Sequence, residues 1–356
     1  MLESLRPELE RRGLEDDILR ITQTLVARKK SLNALTPSHC LPPEILTEIF
    51  ALCVDAAVTR SEDDGLYSSE SDPPLTSPYS WIHIIHVCHR WREVALQAPI
   101  LWCNIIWTPA VNIACVSAML ERSKQCLIRV TVLAIDKPGR CPAFPLLKRI
   151  LAVISGHLSR AVSISITLPG HMWRRLPRIN CSDLSNLTVL SLSSFGFNSK
   201  TSTIFNGRAI PNLRYLSLSR MSLNWGNPAL RHAKYMVKLV LNTVVTKAIL
   251  TTLMELTGLR HLDLSGAFTV FDNAELEALS CHIPLPHLTF LRLSGGSLQI
   301  THLWRTLDIP TSTPVKLEFK VNDGNSLNLP TSSMRVAHKL KEMFNADKTH
   351  IQSLSF

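Results

Sequence analysis

The sequence lacks the features that mark secreted or membrane-spanning chains. Its nine cysteines, an odd number, form no CxxC pair, which favours a reducing compartment over a disulfide framework. The charged N-terminal residues contain no apolar core of a secretory signal. The best candidate for a membrane span, residues 94–120, is interrupted by Pro99 and Pro109. We therefore expect no membrane association, and a location in the cytoplasm, the nucleus or both.

Motifs for catalysis and for metal binding are also lacking. No serine or cysteine stands in a motif typical of a nucleophile. His86, Cys88 and His89 have no second cluster to complete a zinc site. The Ser-Gly-Gly-Ser turn at residues 294–297 lacks the lysine of a phosphate-binding loop. We expect a protein that is not an enzyme and that needs no metal or cofactor.

Acidic residues are scarce between residues 121 and 270. Residues 121–270 contain twenty Lys and Arg but five Asp and Glu, whereas residues 61–72 contain five acidic residues and no basic one. This asymmetry indicates that the C-terminal region meets an acidic or phosphorylated partner. A solvated basic surface explains the same composition, and association with nucleic acid is a less favoured alternative.

The N-terminal residues 2–35 have the pattern of an amphipathic helix, and we assign this helix to a first segment, residues 1–37. Its aliphatic side chains have the spacing of a coiled-coil seam in which Arg28 occupies one position: Leu14, Ile18, Ile21, Leu25, Leu32 and Leu35. This pattern predicts either self-association or packing of the helix against the rest of the protein, and the sequence leaves both open.

A second segment, residues 38–108, contains two short helical patterns separated by a polar stretch. The first, residues 41–54, has two adjacent apolar stripes, Ile45/Ile49/Leu52 and Leu46/Phe50/Cys53, which predict burial on two sides. Residues 55–80 are rich in Ser, Asp and Pro and predict a disordered acidic insertion. Helical patterning resumes near Trp81 and ends at Pro99.

The motifs of this segment resemble the F-box, and in particular the large F-box family of mushroom-forming fungi. They are L-P-P-E-I-L-T-E-I-F (41–50), V-C-H-R-W-R-E-V-A (87–95) and P-I-L-W (99–102), followed by L-E-R-S (120–123) and C-L-I-R-V-T-V (126–132). The resemblance implies that the segment binds a Skp-type adaptor and thereby joins a cullin-RING ubiquitin ligase. The residues that match the box, and that it implies for adaptor binding, are Leu41, Pro42, Ile45, Ile49, Phe50, Val87, Cys88, Trp91 and Trp102.

The third segment, residues 109–356, has a repeating pattern of leucines. The second apolar residue of each L-x-L strand falls at 192, 218, 241, 264, 293 and 319, and the steps of 23 to 29 residues are typical of leucine-rich repeats. Ile164/Ile166 and Val130/Val132 extend the series, and residues 145–158 have helical periodicity. The fold class predicted for the whole chain is α/β: a leading helix, a small helical F-box and a solenoid with a curved parallel sheet and helices outside.

Strand alternation places the residues between the leucines on the opposite, open face of that sheet. We predict that this face binds a target protein through Tyr215, Ser217, Lys238, Asn242, His261, Asp263 and Arg292. The expected function is that of a substrate receptor in an SCF-type (Skp–cullin–F-box) ubiquitin ligase. Two alternatives stay open at this point: a repeat scaffold in which the box is only a structural cap, and a basic repeat protein associated with nucleic acid.

Overall fold

A computed structural model describes residues 6–67, 78–134, 144–173, 184–195, 199–200, 210–222, 235–242, 247–265, 282–319 and 351–355. The chain divides into two compact units. The helical unit comprises Met1–Asn104 and Glu121–Cys126, and the sheet unit comprises Ile105–Leu120 and Leu127–Phe356.

The described residues form helices and strands in an order that changes from helical to mixed near residue 104. The α-helices are α1 Arg6–Ala34, α2 Pro43–Tyr67, α3 His89–Gln97, α4 Ile113–Arg122, α5 Phe144–Ser155, α6 Gly170–Trp173, α7 Lys247–Glu255 and α8 Ser297–Thr306. Short 3₁₀ turns cover Pro37–Cys40, Ser80–His86, Pro99–Trp102 and Leu158–Arg160. The strands are β1 Asn104–Trp107, β2 Ile128–Leu133, β3 Ala161–Pro169, β4 Val189–Phe195, β5 Ser199–Lys200, β6 Tyr215–Ser219, β7 Met221–Ser222, β8 Lys238–Asn242, β9 His261–Leu264, β10 Ile283–Pro284, β11 Phe290–Gly295, β12 Leu307–Asp308, β13 Val315–Phe319 and β14 Ile351–Ser355.

The leading helix is confirmed as α1, which ends three residues before Pro37. Pro37 begins a 3₁₀ turn instead of continuing the helix, because proline has no backbone N–H to donate and clashes with the preceding turn. α2 then begins with Pro43 at its first position, where a missing N–H costs nothing.

The expectation of a disordered insertion over residues 55–80 is wrong for residues 55–67, because α2 continues through them as one helix to Tyr67. Val54 and Ala57 are buried on the inner side of α2, and Ala56, Ala57 and Val58 give this part apolar material that the Ser- and Asp-rich composition obscured. Residues 68–77 lie outside the described residues, and residues 78–80 lead into the next 3₁₀ turn.

The predicted α/β class with a large parallel sheet is confirmed. Ten strands form one open sheet in the order β1-β2-β3-β4-β6-β8-β9-β11-β13-β14, and the nine strands from β2 onward pair in parallel. Two further pairs, β5 with β7 and β10 with β12, are also parallel.

The leucines of the repeating pattern form the buried face of this sheet. Leu190, Leu216 and Leu239 are register partners along one row, and Leu192 and Leu218 belong to the next. All five are buried. A strand residue and its second neighbour point to the same side, so an L-x-L strand buries both leucines and presents the residue between them on the other face.

The same turn precedes several of these strands. The backbone N–H of Leu187 donates to the carbonyl of Leu184 at 3.1 Å, and Leu259 to Leu256 and Leu288 to Leu285 form the same bond at 3.1 Å. α5, predicted from its periodicity, packs Leu151 and Ile154 against a small buried space that strand residues of β2 and β3 also line. The strand spacing and the helical stretch inferred from sequence are therefore confirmed at this level.

Candidate functional site

Arg90 fixes the segment before α2 within the helical unit. Its guanidinium donates hydrogen bonds to the backbone carbonyls of His39 and Leu41, about fifty residues earlier in the chain. Arg90 itself is positioned by α3, whose first turn is capped where the backbone N–H of Trp91 donates to Cys88 Sγ at 3.5 Å. The two halves of the resemblance, residues 41–50 and 87–95, are thus joined in one arrangement.

Aromatic side chains form the interior of this unit. The rings of Phe50 and Trp91 lie 5.2 Å apart between centroids, and those of Trp81 and Trp102 lie 5.0 Å apart edge to face. Trp102 Nε1 donates to the carbonyl of Ala95 at 2.8 Å, so its polar group is satisfied inside. Aromatic pairs of this geometry stabilise a core beyond the area they bury.

The outer side of α2 is apolar but uncovered within the chain. Ile45 and Ile49 are 42% and 40% exposed, and Leu52 continues the same helical face with 69% exposed. The inner face consists of Leu46, Phe50 and Val54. The expectation that α2 is buried on two sides is therefore wrong for the chain alone. Cys53, which the sequence placed in one stripe with Leu46 and Phe50, is exposed, and Val54 is buried in its place.

The predicted adaptor-binding residues divide into a core group and a surface group. Phe50 and Trp102 have no exposed surface, so they stabilise the interior of the helical unit. The prediction that these two residues contact an adaptor directly is therefore wrong. Leu41, Cys88 and Trp91 are half-buried. The exposed members are Pro42, Ile45, Ile49 and Val87.

Sequence reasoning missed three exposed apolar side chains as candidate contacts: Leu52, Leu96 and Ile100. Leu52 follows Ile49 by three residues and completes the outer stripe of α2, which the helical period could have shown. Ile100 points outward from the turn Pro99–Trp102, while its neighbours Leu101 and Trp102 are buried. Nothing in the letters P-I-L-W distinguishes these two orientations.

The sheet unit presents a polar face made by the residues between its buried leucines. Parallel register aligns these residues in rows that cross the strands. One row contains Ser191, Ser217, Val240 and Asp263, and a neighbouring one contains Tyr215, Lys238 and His261. Small hydroxyl side chains are therefore found on β4 and β6, and charged and aromatic side chains become more frequent on the strands toward β13.

Ring and charge contacts organise the second of these rows. Lys238 Nζ lies 5.2 Å from the centroid of the Tyr215 ring, and the His261 ring stacks on Phe290 at 4.4 Å with 12° between planes. Burial, and secondly the charge of Lys238, lowers the pKa of His261 below its ordinary value. His261 is consequently neutral at physiological pH and presents a flat, stacked surface.

An ion-pair cluster lies beside it on β9, β11 and β13. Arg292 donates to both carboxylate oxygens of Glu318 at 2.9 and 3.0 Å, and its Nη1 lies 3.4 Å from Asp263 Oδ2. Lys316 Nζ lies 3.0 Å from Glu318 Oε1. Among the described residues, Asp263 Oδ1 and Arg292 Nε are buried without a hydrogen-bond partner. The charged groups of this cluster are therefore packed closely, but two of their polar atoms make no hydrogen bond.

The predicted target-binding residues lie on this polar face. Tyr215, Ser217, Lys238, His261 and Arg292 are half-buried, and Asn242 is exposed and its Nδ2 lies 3.4 Å from Ser219 Oγ. Asp263 is 8% exposed, so its carboxylate serves the cluster more than the surface. Phe290, Lys316 and Glu318 were missed, although the same alternation places them on the same face.

Comparison with models of known protein families and with curated proteins found no match. Within the described ranges, no group of three or more His, Cys, Asp and Glu side chains is arranged to hold a metal ion. None of the helices in that part of the chain has both the length and the apolarity that a bilayer crossing requires.

Proposed function

We propose that this protein is the substrate-recognition subunit of an SCF-type ubiquitin ligase. The helical unit docks onto a Skp-type adaptor through the outer face of α2, and the sheet unit is a leucine-rich repeat domain whose polar face holds a target protein. The chain itself carries out no chemistry in this role, since ubiquitin transfer belongs to the cullin-RING assembly.

The observation that carries the proposal is the uncovered outer face of α2. Ile45, Ile49 and Leu52 belong to a helix whose inner face already packs against the aromatic interior, so the exposed parts of their side chains are not needed for the core of the unit. Exposed apolar side chains gathered on one helical face are typical of a protein-binding surface. Ile45 and Ile49 lie in the segment L-P-P-E-I-L-T-E-I-F (41–50), which resembles the adaptor-binding part of the F-box, and Leu52 lies two residues beyond it.

The repeat interpretation of the sheet unit is supported by features that recur from strand to strand. Side chains bridge successive repeats at the same place: Asn186 Nδ2 donates to the carbonyl of Ser159 at 2.8 Å, and Asn212 Nδ2 donates to Ser185 at 2.7 Å. Each bond spans 27 residues. Repeat units that cannot bury their leucines alone form one continuous core by stacking in this way.

The polar face is the surface that we assign to the target. Its cationic residues Lys238, Arg292 and Lys316 are accompanied by two carboxylates, and its aromatic residues Tyr215 and Phe290 add flat contact area. Aromatic and arginine side chains are enriched where proteins bind one another. Of these cations only Lys238 lies within residues 121–270, and Arg292 and Lys316 are paired with Glu318, so we propose an acidic or phosphorylated target from the basic excess of that range as a whole and not from the polar face.

Co-purification of the full chain with a Skp-type adaptor and cullin tests this function. The double substitution Ile45→Asp with Ile49→Asp should abolish recovery of the adaptor. Two side chains about 40% exposed contribute together roughly 1–2.5 kcal/mol when covered, and burying two carboxylates adds a larger penalty.

Leu127→Asp is the matched control, because Leu127 is 51% exposed and lies outside the helical unit. This variant should retain the adaptor. Failure of the wild-type chain to retain any adaptor, or equal recovery of both variants, would rule the proposal out.

A further inference from the structure

The leading helix α1 carries an apolar seam that no described residue of the helical unit covers. Five of its aliphatic side chains, Leu14, Ile18, Ile21, Leu25 and Leu32, are each at least half exposed, and so is Leu35 directly after the helix. The sequence left open whether α1 packs against the rest of the protein or associates with itself. Since the whole seam is exposed, packing against the helical unit does not account for it.

The side of α1 that faces α3 carries polar and small residues instead of the seam. Lys30, Asn33 and Ala34 line a cleft of about 620 Å³ together with α3 residues that include His89 and Glu93. In the heptad that places Ile18, Leu25 and Leu32 at position a, these three α1 residues occupy positions f, b and c. Those positions lie away from the a/d seam, so α1 can contact α3 while its seam remains available.

We infer that the seam of α1 pairs with α1 of a second copy of this chain, in antiparallel orientation. Apolar residues spaced alternately by three and four residues form a stripe that a second helix of the same period covers by knobs-into-holes packing. The stripe from Leu14 to Leu35 spans three heptads, or roughly 30 Å of helix at 1.5 Å per residue. A second copy supplies a helix of matching length and period.

The charges of α1 select the antiparallel orientation. Residues 8–17 contain five acidic residues, Glu8, Glu10, Glu15, Asp16 and Asp17, and two basic ones, Arg11 and Arg12, whereas residues 18–34 contain no acidic residue and four basic ones, Arg20, Arg28, Lys29 and Lys30. Antiparallel pairing sets the acidic end of one helix beside the basic end of the other. Parallel pairing sets like charge beside like charge.

The register of the seam leads to the same orientation. Arg28 occupies a d position, so a parallel pair would bring the two Arg28 guanidinium groups together in one layer. An antiparallel pair instead sets Arg28 opposite Ile18 of the other copy and sets Leu25 opposite Ile21. In that register the flanking e positions bring Glu15 beside Lys29 of the other copy, twice by symmetry.

Sedimentation equilibrium of the full chain tests this pairing through a charge reversal at Glu15. In an antiparallel dimer Glu15→Lys converts two attractions with Lys29 into two repulsions and should weaken dimerisation roughly 4- to 30-fold. The variant also loses the ion pair that Glu15 makes with Arg11 at 2.9 Å within its own helix, and this loss affects monomer and dimer alike. Adding Lys29→Glu to that variant should restore the wild-type dissociation constant to within about threefold. In a parallel dimer Glu15 faces Glu10 of the other copy, so Glu15→Lys would strengthen the association instead.

Asp16→Lys is the matched control, since it makes the same charge change at position f, away from the seam. It should leave the dissociation constant within about twofold of wild type. Ile21→Asp should give a monomer, and far-UV circular dichroism should show that its helical content is retained. A wild-type chain that stays monomeric over the accessible concentration range would overturn the inference. So would a dimer that Ile21→Asp leaves intact, or one that Glu15→Lys leaves unchanged or strengthens.

Discussion

Removing the charge of Arg292 should destabilise the strands around it, because this residue holds two carboxylates on the polar face of the sheet. Arg292 bonds Glu318 through both oxygens and lies 3.4 Å from Asp263, whose side chain is only 11% exposed. Arg292→Met keeps most of the aliphatic volume and removes every one of these hydrogen bonds. Asp263 is then a nearly buried carboxylate without a cation at its side.

The size of the effect follows from the burial of the two partners. Leaving a buried charged group without its partner costs several kcal/mol, whereas exposed pairs contribute under about 1 kcal/mol. Arg292 is about one-third exposed, and solvent therefore screens part of its interaction with Glu318. We expect a loss of about 2 kcal/mol in the free energy of opening of β9 and β11.

The loss should depend on pH in a defined direction. Hydrogen bonds from Arg292 hold the pKa of Glu318 below its usual value, so Glu318 contributes stability at neutral pH that is lost as the pH falls through its folded pKa. Burial raises the pKa of Asp263, and Arg292 opposes that rise. Without Arg292, ionised Asp263 costs the folded state more. The difference between wild type and variant should thus be largest at neutral pH and should shrink as the pH falls below about 4, because the two carboxylates then become protonated.

Native-state hydrogen exchange followed by mass spectrometry measures this locally. Peptides covering His261–Leu264 and Phe290–Gly295 should exchange roughly 30-fold faster in Arg292→Met. Arg260→Met, which removes an exposed arginine from the residue before β9, is the control and should leave the rates unchanged. Adding Asp263→Asn to Arg292→Met should recover at least half of the loss. Equal rates in wild type and Arg292→Met, or no recovery on neutralising Asp263, would refute this assignment of the cluster.

Two further predictions concern the interior of the helical unit and the stacked histidine. Phe50→Ala should lower the free energy of unfolding of the helical unit by about 3–5 kcal/mol, because the fully buried ring packs on Trp91. Ile49→Ala, at the exposed face, should lower it far less. Denaturant unfolding measures both losses, and equal losses would count against the assigned faces. The pKa of His261 should be below its ordinary value in an NMR titration, and Lys238→Met should raise it by removing a like charge; an unchanged pKa in that variant would contradict the described geometry.

Much of the architecture follows from periodicity in the sequence. The helix at the N-terminus, the helix before β3 and the strand positions of the repeated leucines were predictable, since a period of 3.6 or 2 determines which side chains share a face. The extent of α2 was not, because Ser- and Asp-rich composition indicates disorder even where Val54 and Ala57 continue a buried stripe.

The candidate sites were predictable as sets of residues but not as surfaces. The letters of the motifs do not separate Phe50 and Trp102, which build the interior, from Ile45 and Ile49, which remain exposed, because that division depends on how α2 packs on the aromatic pairs. The contact of Arg292 with Glu318 joins residues 26 apart in sequence. It depends on strand register, which a single sequence does not determine.

Titration of a purified Skp-type adaptor into the full chain, followed by calorimetry, tests the central claim most directly. The proposed docking face predicts saturable binding of one adaptor per chain, lost when Ile45 and Ile49 are both replaced by aspartate and retained in Leu127→Asp. Absence of binding by the wild-type chain, or binding of equal strength in the Ile45→Asp, Ile49→Asp variant, would contradict the account.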